Sequence, residues 1–176
     1  MTFQETQLYH IYNRSINKET IFVAEQDYLS FLSRIRTNLL PVCNLLAWCL
    51  MPNHFHFLIN TTEKSVILRK IGGNTMSQLS FGIKQLLSSY TKSFNRKFKR
   101  TGNLFQQKTK SKLLSGRDLY PLTVFHYIHQ NPVRRRLVLE PEQWQWSSAR
   151  DYLWGEPGTV FVNEPLRAEM KVRPVA

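Results

Sequence analysis

Residues 7 to 13, QLYHIYN, alternate between apolar and polar positions, a period of two that puts successive side chains on opposite faces of an extended chain and predicts a first strand. The period lengthens over residues 24 to 39, where Tyr28, Phe31, Leu32 and Ile35 recur at three- and four-residue steps, as on one stripe of a helix. Two strands are predicted next, 43 to 50 and 54 to 60, joined through the turn-forming Met51-Pro52-Asn53 as a hairpin. A long helix follows over 76 to 98, with Met76, Leu79, Ile83, Leu86, Leu87, Tyr90, Phe94 and Phe98 as its apolar stripe. Beyond the Thr101-Gly102-Asn103 break, LFQQKTKSKLL alternates well enough to predict a fourth strand. Residues 117 to 130 read as a last helix that stops near Pro132, because the residue before a proline is pushed out of the helical region. An aromatic-rich extension follows, with Trp144, Trp146, Tyr152 and Trp154. Strand, helix, hairpin, helix, strand and helix predict an α+β fold: a central antiparallel sheet with helices packed on it.

Length bears on this picture first. The 176 residues suit one domain over 1 to 154, which leaves 155 to 176, with Pro157, Pro165 and Pro174, as a C-terminal tail. An apolar share of 42% with 20% charged residues belongs to a soluble globule and excludes disordered and fibrous classes. The N-terminus lacks a basic flank ahead of an apolar core, and no apolar run approaches the ~20 residues needed to span a bilayer, so a cytoplasmic protein is expected. Cys43 and Cys49 fall in one predicted strand at even spacing, which puts both on one face, too far apart to bond; reduced core thiols are expected.

Charge changes the picture more. The net +12 is uneven: no acidic residue lies between Glu63 and Asp118, whereas thirteen basic ones do, and the rest of the chain is close to neutral. One segment carries the positive field, and such a block attracts a polyanion through counterion release. Nucleic acid is the expected partner. A membrane surface fits less well, because Gly72, Gly73, Gly102 and many polar residues interrupt any single amphipathic helix.

Within this frame, MPNHFHFLIN, residues 51 to 60, places His54 and His56 on one face of a strand and Phe55 and Phe57 on the core face. Two imidazoles so placed can hold a divalent ion with positions left open for substrate; two half-exposed, hydrogen-bonded histidines would look the same. On the last helix, Tyr120, Thr123, Tyr127 and Asn131 share one face, a quarter-turn from the apolar face of Pro121, Val124, Phe125 and Ile128. At i, i+4 spacing a phenol and an amide oxygen can address one point, although a Tyr/Asn surface pair at a helix end has the same spacing.

The stretches YHIYNRS (9 to 15), MPNHFHFLI (51 to 59), SYTKSFNRKFKRTGNLFQQK (89 to 108), YIHQNPVRRRLV (127 to 138) and WQWSSARDY (144 to 152) resemble, in order, the REP-associated tyrosine transposases, single-tyrosine members of the HUH group. The resemblance implies a ferredoxin-like palm presenting the two histidines, His54 and His56, with Asn131 as third metal ligand and Tyr127 as nucleophile. It also implies a Mg²⁺ or Mn²⁺ cofactor. Tyr90 is the rival nucleophile and His129 the rival third ligand; Tyr90 lies on the apolar stripe of its own helix, and His129 points away from the Tyr127 face. Contacts to DNA are expected from Arg14, Lys92, Arg96, Lys97, Lys99, Arg100, Lys108, Lys110, Lys112, Arg134, Arg135 and Arg136. Gln106-Gln107 stands where a large basic or aromatic residue is expected, a change that bears on DNA contact and not on chemistry.

The implied activity is that of a single-strand DNA endonuclease and strand transferase acting on REP-type hairpin DNA through a 5′-phosphotyrosine, in a nucleoid-associated protein that is a monomer or homodimer. A phenol with pKa about 10 is a poor nucleophile at neutral pH, so the site must lower the barrier by other means. Two alternatives stand beside it: a hairpin-binding protein that does not cleave, and a metal-dependent RNA nuclease on a similar fold.

Overall fold

The computed structural model describes residues 1–114 and 120–153. The predicted tail over 155 to 176, the predicted helix start at 117 and Trp154 lie outside the described residues. Four strands form one antiparallel sheet: β1 (Leu8–Arg14), β2 (Cys43–Met51), β3 (His54–Thr61) and β6 (Lys110–Leu113), in the order β2-β3-β1-β6. Between β1 and β2 runs α1 (Glu25–Asn38), and α3 (Gln78–Lys97) precedes β6. A short α2 (Glu63–Val66) leads into a separate two-stranded ribbon, β4 (Leu68–Ile71) and β5 (Asn74–Ser77). The chain continues through α4 (Tyr120–Arg134) and α5 (Ala149–Leu153).

The alternation of β1 and β3 gives the sheet two unlike faces. Phe55, Phe57, Ile59, Tyr9 and Ile11 join Phe31, Ile35, Leu79, Ile83, Leu86 and Tyr90 in a large core beneath α1 and α3. The other face carries a smaller core in which Leu46, Ala47, Cys49 and Leu58 meet Val124, Phe125 and Ile128 of α4. The order of layers is helix pair, sheet, single helix. Gly82 lets α1 and α3 approach closely, since a Cβ there would stand 2.3 Å from the Asn38 carbonyl oxygen.

Several expectations shift. The register of β2 against β3 slips between Leu45 and Ala47, and this bulge inverts the face parity, so Cys43 lies in the large core and Cys49 in the smaller one instead of on a shared face. Both thiols are free and buried, and burial raises the pKa of Cys43 to about 12 and that of Cys49 further. The fourth strand is shorter than its alternation suggests: 104 to 109 is a loop stitched to the end of β1. Ile16 N–H donates to the Leu104 carbonyl and Gln106 N–H to the Arg14 carbonyl, both at 3.0 Å. Asn13 Nδ2 donates to the Gln106 carbonyl and to Thr109 Oγ1. The long helix starts at Gln78 because Asn74–Ser77 pairs as β5, and Ser77 caps it by accepting from Ser80 N–H. Glycines 72 and 73, both at positive φ, make that ribbon's turn.

Pro132 does not end α4. Near a C-terminus it removes one backbone hydrogen bond, and the helix runs on to Arg134. It closes where Arg136 takes a left-handed φ of 55°, with Arg136 N–H donating to the Val133 carbonyl and Leu137 N–H to the Pro132 carbonyl, the bond pattern of a Schellman cap. The aromatic extension covers the outer edge of β2: Leu50 N–H donates to the Trp146 carbonyl, Ser148 N–H to the Trp48 carbonyl, and Trp144 Nε1 to the Leu50 carbonyl. An edge strand that would otherwise pair with other chains is closed.

Candidate active site

β1 and β3 pair with Tyr12 opposite His56 and Arg14 opposite His54. Side chains of opposed residues share a face, so His54, His56, Tyr12, Arg14 and the diagonal neighbour His10 all stand on the α4 side of the sheet. Lys110 and Lys112 join them, opposite Tyr12 and His10. α4 crosses this face with its apolar residues on the smaller core and brings Tyr127 and Asn131 over the histidines. The Tyr127 ring stands edge-on to His56 at 5.5 Å between centroids, and His54 and His56 are 5.1 Å apart at 89°. Tyr127 is 36% exposed and Asn131 only 6%. One chain thus assembles both histidines, the tyrosine and the asparagine around a cavity of about 570 Å³.

Hydrogen bonds fix three of these groups. His54 Nδ1 lies 2.6 Å from Asn53 Oδ1, an acceptor, so Nδ1 carries the proton and Nε2 is left with its lone pair. Asn53 is itself held by Nδ2 donating to the Lys18 carbonyl. Asn131 Nδ2 donates to the Tyr127 carbonyl at 2.8 Å, which leaves its oxygen for the contact it makes with His54. His56 Nδ1 lies 2.9 Å from His10 Nε2. Burial, first of all, lowers the pKa of His54 to about 4, with the fields of Arg135 and Arg14 adding to it and the bond to Asn131 opposing. Burial lowers His56 to about 3, helped by His10 and His54, and His10 to about 4, helped by Lys112. All three are neutral at pH 7, the state in which an imidazole can ligate.

Two neutral imidazoles and one amide oxygen are donors that a divalent cation can take, with coordination positions left open. No group of three or more His, Cys, Asp or Glu side chains able to hold a metal forms among the described residues. His54, neutral and with the lone pair on Nε2, stands beside Asn131, whose Nδ2 is taken up by the Tyr127 carbonyl, so the chemistry of these side chains is compatible with a cation.

The rival residues are engaged elsewhere. Tyr90 is buried, its hydroxyl donates to the Ile21 carbonyl, and burial raises its pKa. His129 is buried on the opposite side of α4, with Nε2 at 2.8 Å from Ser148 Oγ. The basic residues separate into groups. Arg14, Lys108, Lys110 and Arg135 line the cavity, and the Arg134 guanidinium lies 5.4 Å from the centre of the Tyr127 ring. Lys92 lines a second groove of about 900 Å³ along α3, which shares Asn13, Gln106 and Lys108 with the first. Arg96 and Lys99 are exposed at the end of α3, and Arg136 is exposed in the turn after α4. Lys97 and Arg100 are paired with Asp27 at 2.5 Å and Glu19 at 3.3 Å, and Lys112 donates to the Tyr120 hydroxyl. Gln106, with its amide oxygen toward Arg14, accepts from Nε at 2.6 Å and Nη2 at 3.2 Å. It therefore holds an arginine of the site, a role its place in the sequence did not suggest.

Sequence reasoning passed over His10, Tyr12, Asn13, Lys18 and Asn53. Four of them sit in the stretches that carry the family resemblance, and His10 and Tyr12 share the strand parity of Arg14, but which residue of β3 each would meet depends on a register that no local pattern sets.

No family model and no curated protein matches the chain. Among solved structures, a REP-associated tyrosine transposase bound to a REP hairpin aligns over 93% of this chain and 90% of its own, with a TM-score of 0.61 and 14% identity. A candidate transposase from Deinococcus radiodurans R1 aligns over 74% of this chain and 94% of its own at a TM-score of 0.43 and 17% identity, too low to weigh. No helix among the described residues is long and apolar enough to cross a membrane. Across nearly its whole length, then, this chain has the fold of the REP-associated tyrosine transposase.

Proposed function

We propose that the protein is a metal-dependent HUH-type tyrosine transposase acting on single-stranded, REP-type hairpin DNA. The observation that carries this reading is the convergence, within one chain, of Tyr127, His54, His56 and Asn131 on one basic cavity. The shared fold adds support, since the similar structure was solved with a REP hairpin bound.

His54, His56 and Asn131 would hold a Mg²⁺ or Mn²⁺ ion, which when bound polarises a phosphate and offsets charge on its oxygens. Arg14, Lys108, Lys110 and Arg135 hold the DNA backbone against the site. The groove shared through Asn13, Gln106 and Lys108 gives the strand a way out along α3. The Tyr127 hydroxyl attacks the scissile phosphorus and gives up its proton as the P–O3′ bond breaks. The 3′-oxygen leaves and takes a proton, and the phosphate stays on Tyr127 as a 5′-phosphotyrosine. Because the ester is conserved, attack by another 3′-hydroxyl rejoins DNA and releases the tyrosine without ATP.

Incubation of 5′-labelled and 3′-labelled hairpin DNA with the protein and Mn²⁺, resolved on a denaturing gel, tests the reading. A covalent adduct carrying the 3′-side strand is expected, lost in Tyr127→Phe while hairpin binding stays within about twofold. Cleavage that survives Tyr127→Phe would falsify the assignment of the nucleophile. A gel shift with no adduct would leave a hairpin-binding protein, and RNA cut without protein attachment would point to the nuclease alternative.

A further inference from the structure

Two ring nitrogens 2.9 Å apart make a hydrogen bond only if one carries a proton and the other a lone pair. His10 Nε2 and His56 Nδ1 are such a pair. His10 lies opposite Leu58 in the register, so it meets His56 on the diagonal, with the rings 25° from parallel. Tyr12, at 4.8 Å between centroids, and Tyr127, at 6.1 Å, close round the His10 ring and hold its orientation. Both imidazoles are buried, at 8% and 6% exposure, and among the described residues His10 is the hydrogen-bond partner of His56. A buried polar pair of this kind is costly if left unmade, whereas an apolar residue at position 10 would fill the space without a partner to satisfy.

We propose that His10 is a positioning residue for the metal site: its Nε2 accepts the Nδ1 proton of His56, which holds His56 in the tautomer whose Nε2 lone pair is free for a cation. In the opposite arrangement His10 donates, His56 carries its proton on Nε2, and the ring cannot ligate. Ligating histidines nearly always donate their second ring N–H to a partner that sets tautomer and orientation. The partner at His54 is the Asn53 amide oxygen; at His56 it is a second imidazole. No net proton is gained or lost in this arrangement; what His10 decides is which nitrogen bears it. The inference rests on the reading that His54, His56 and Asn131 hold a divalent ion.

Binding of Mn²⁺, followed by electron paramagnetic resonance of the free ion, tests it on the whole chain as wild type, His10→Leu and His10→Gln. The Kd of His10→Leu should rise about 10- to 100-fold, the usual cost of removing such a partner. His10→Gln, which keeps an acceptor, should recover most of it, and metal-free hairpin affinity should be unchanged in both. A Kd for folded His10→Leu within about twofold of wild type would overturn the inference while leaving the metal site standing. Wild type that takes up no Mn²⁺ at all would overturn the underlying reading with it. If His10→Leu does not fold, the Mg²⁺-loaded wild type decides through long-range ¹H–¹⁵N imidazole spectra: a proton on His56 Nδ1 supports the proposal, and one on Nε2 sinks it.

Discussion

Five histidines occur in the chain, and the roles of four follow from burial. His10, His54, His56 and His129 all have pKa values lowered by loss of solvent, to about 4, 4, 3 and 3. A lowered pKa in the folded state means the unfolded chain binds more protons between the two values. Stability from this source is whole above about pH 6.5 and is lost as the pH falls toward 4 and then 3. The urea midpoint of the metal-free protein should therefore fall steadily from pH 7 to pH 4. In His129→Gln, which removes the histidine tied to Ser148 but leaves the cavity alone, that fall should shrink by one proton's share; an unchanged pH profile would contradict the burial of His129. Spacing alone could not divide these residues into roles, because His-x-His and a lone helix histidine look alike until their partners are known. Asn53 and Ser148 are such partners, and they come from a turn and from a segment 19 residues further on.

Helix α4 and the hairpin that faces it could be read in outline, and their differences from expectation have local causes. Pro132 looked like a stop, yet a proline near a helix end forfeits one bond, and α4 finds its true end in the Arg136 cap. The loop at 104 to 109 looked like a strand because it alternates, but Asn13 draws it onto β1 through side-chain bonds. Helix α3 is placed by the close approach at Gly82, where any side chain meets the Asn38 carbonyl. Gly82→Ala should thus destabilise although alanine is the better helix former: overpacking costs about 1–3 kcal/mol and propensity returns at most about 1. Calorimetry should record a drop in Tm of a few degrees; a rise would mean that α1 and α3 separate without cost.

At the scale of the molecule, the excess charge condenses onto the α4 side of the sheet and along α3. Not all of it is free for a polyanion, since Lys97 and Arg100 are paired with carboxylates, whereas Lys108 and Lys110 line the cavity. Each phosphate contact contributes about 0.7 to the slope of log affinity against log salt for a single strand and about 0.9 for a duplex. Lys108→Ala with Lys110→Ala should lower the slope for hairpin DNA by about 1.4 to 1.8 and weaken binding alike for any hairpin sequence. Fluorescence anisotropy between 50 and 300 mM salt measures it, and an unchanged slope would place the DNA elsewhere.

The α+β class, the hairpin bearing His54 and His56, the helix bearing Tyr127 and Asn131, and the basic segment were all determined by the sequence alone, because each is a periodic or compositional property of neighbouring residues. Only the tertiary structure decided that β1 lies beside β3 in a register bringing His10 to His56, that the Leu45/Ala47 bulge separates the two cysteines, that Gln106 holds Arg14, and that residues 144 to 148 seal the edge of β2. The physical reason is common to them all. Period and charge are local, whereas register and hydrogen-bond partnership between segments many residues apart are settled only when both faces of the sheet are buried together.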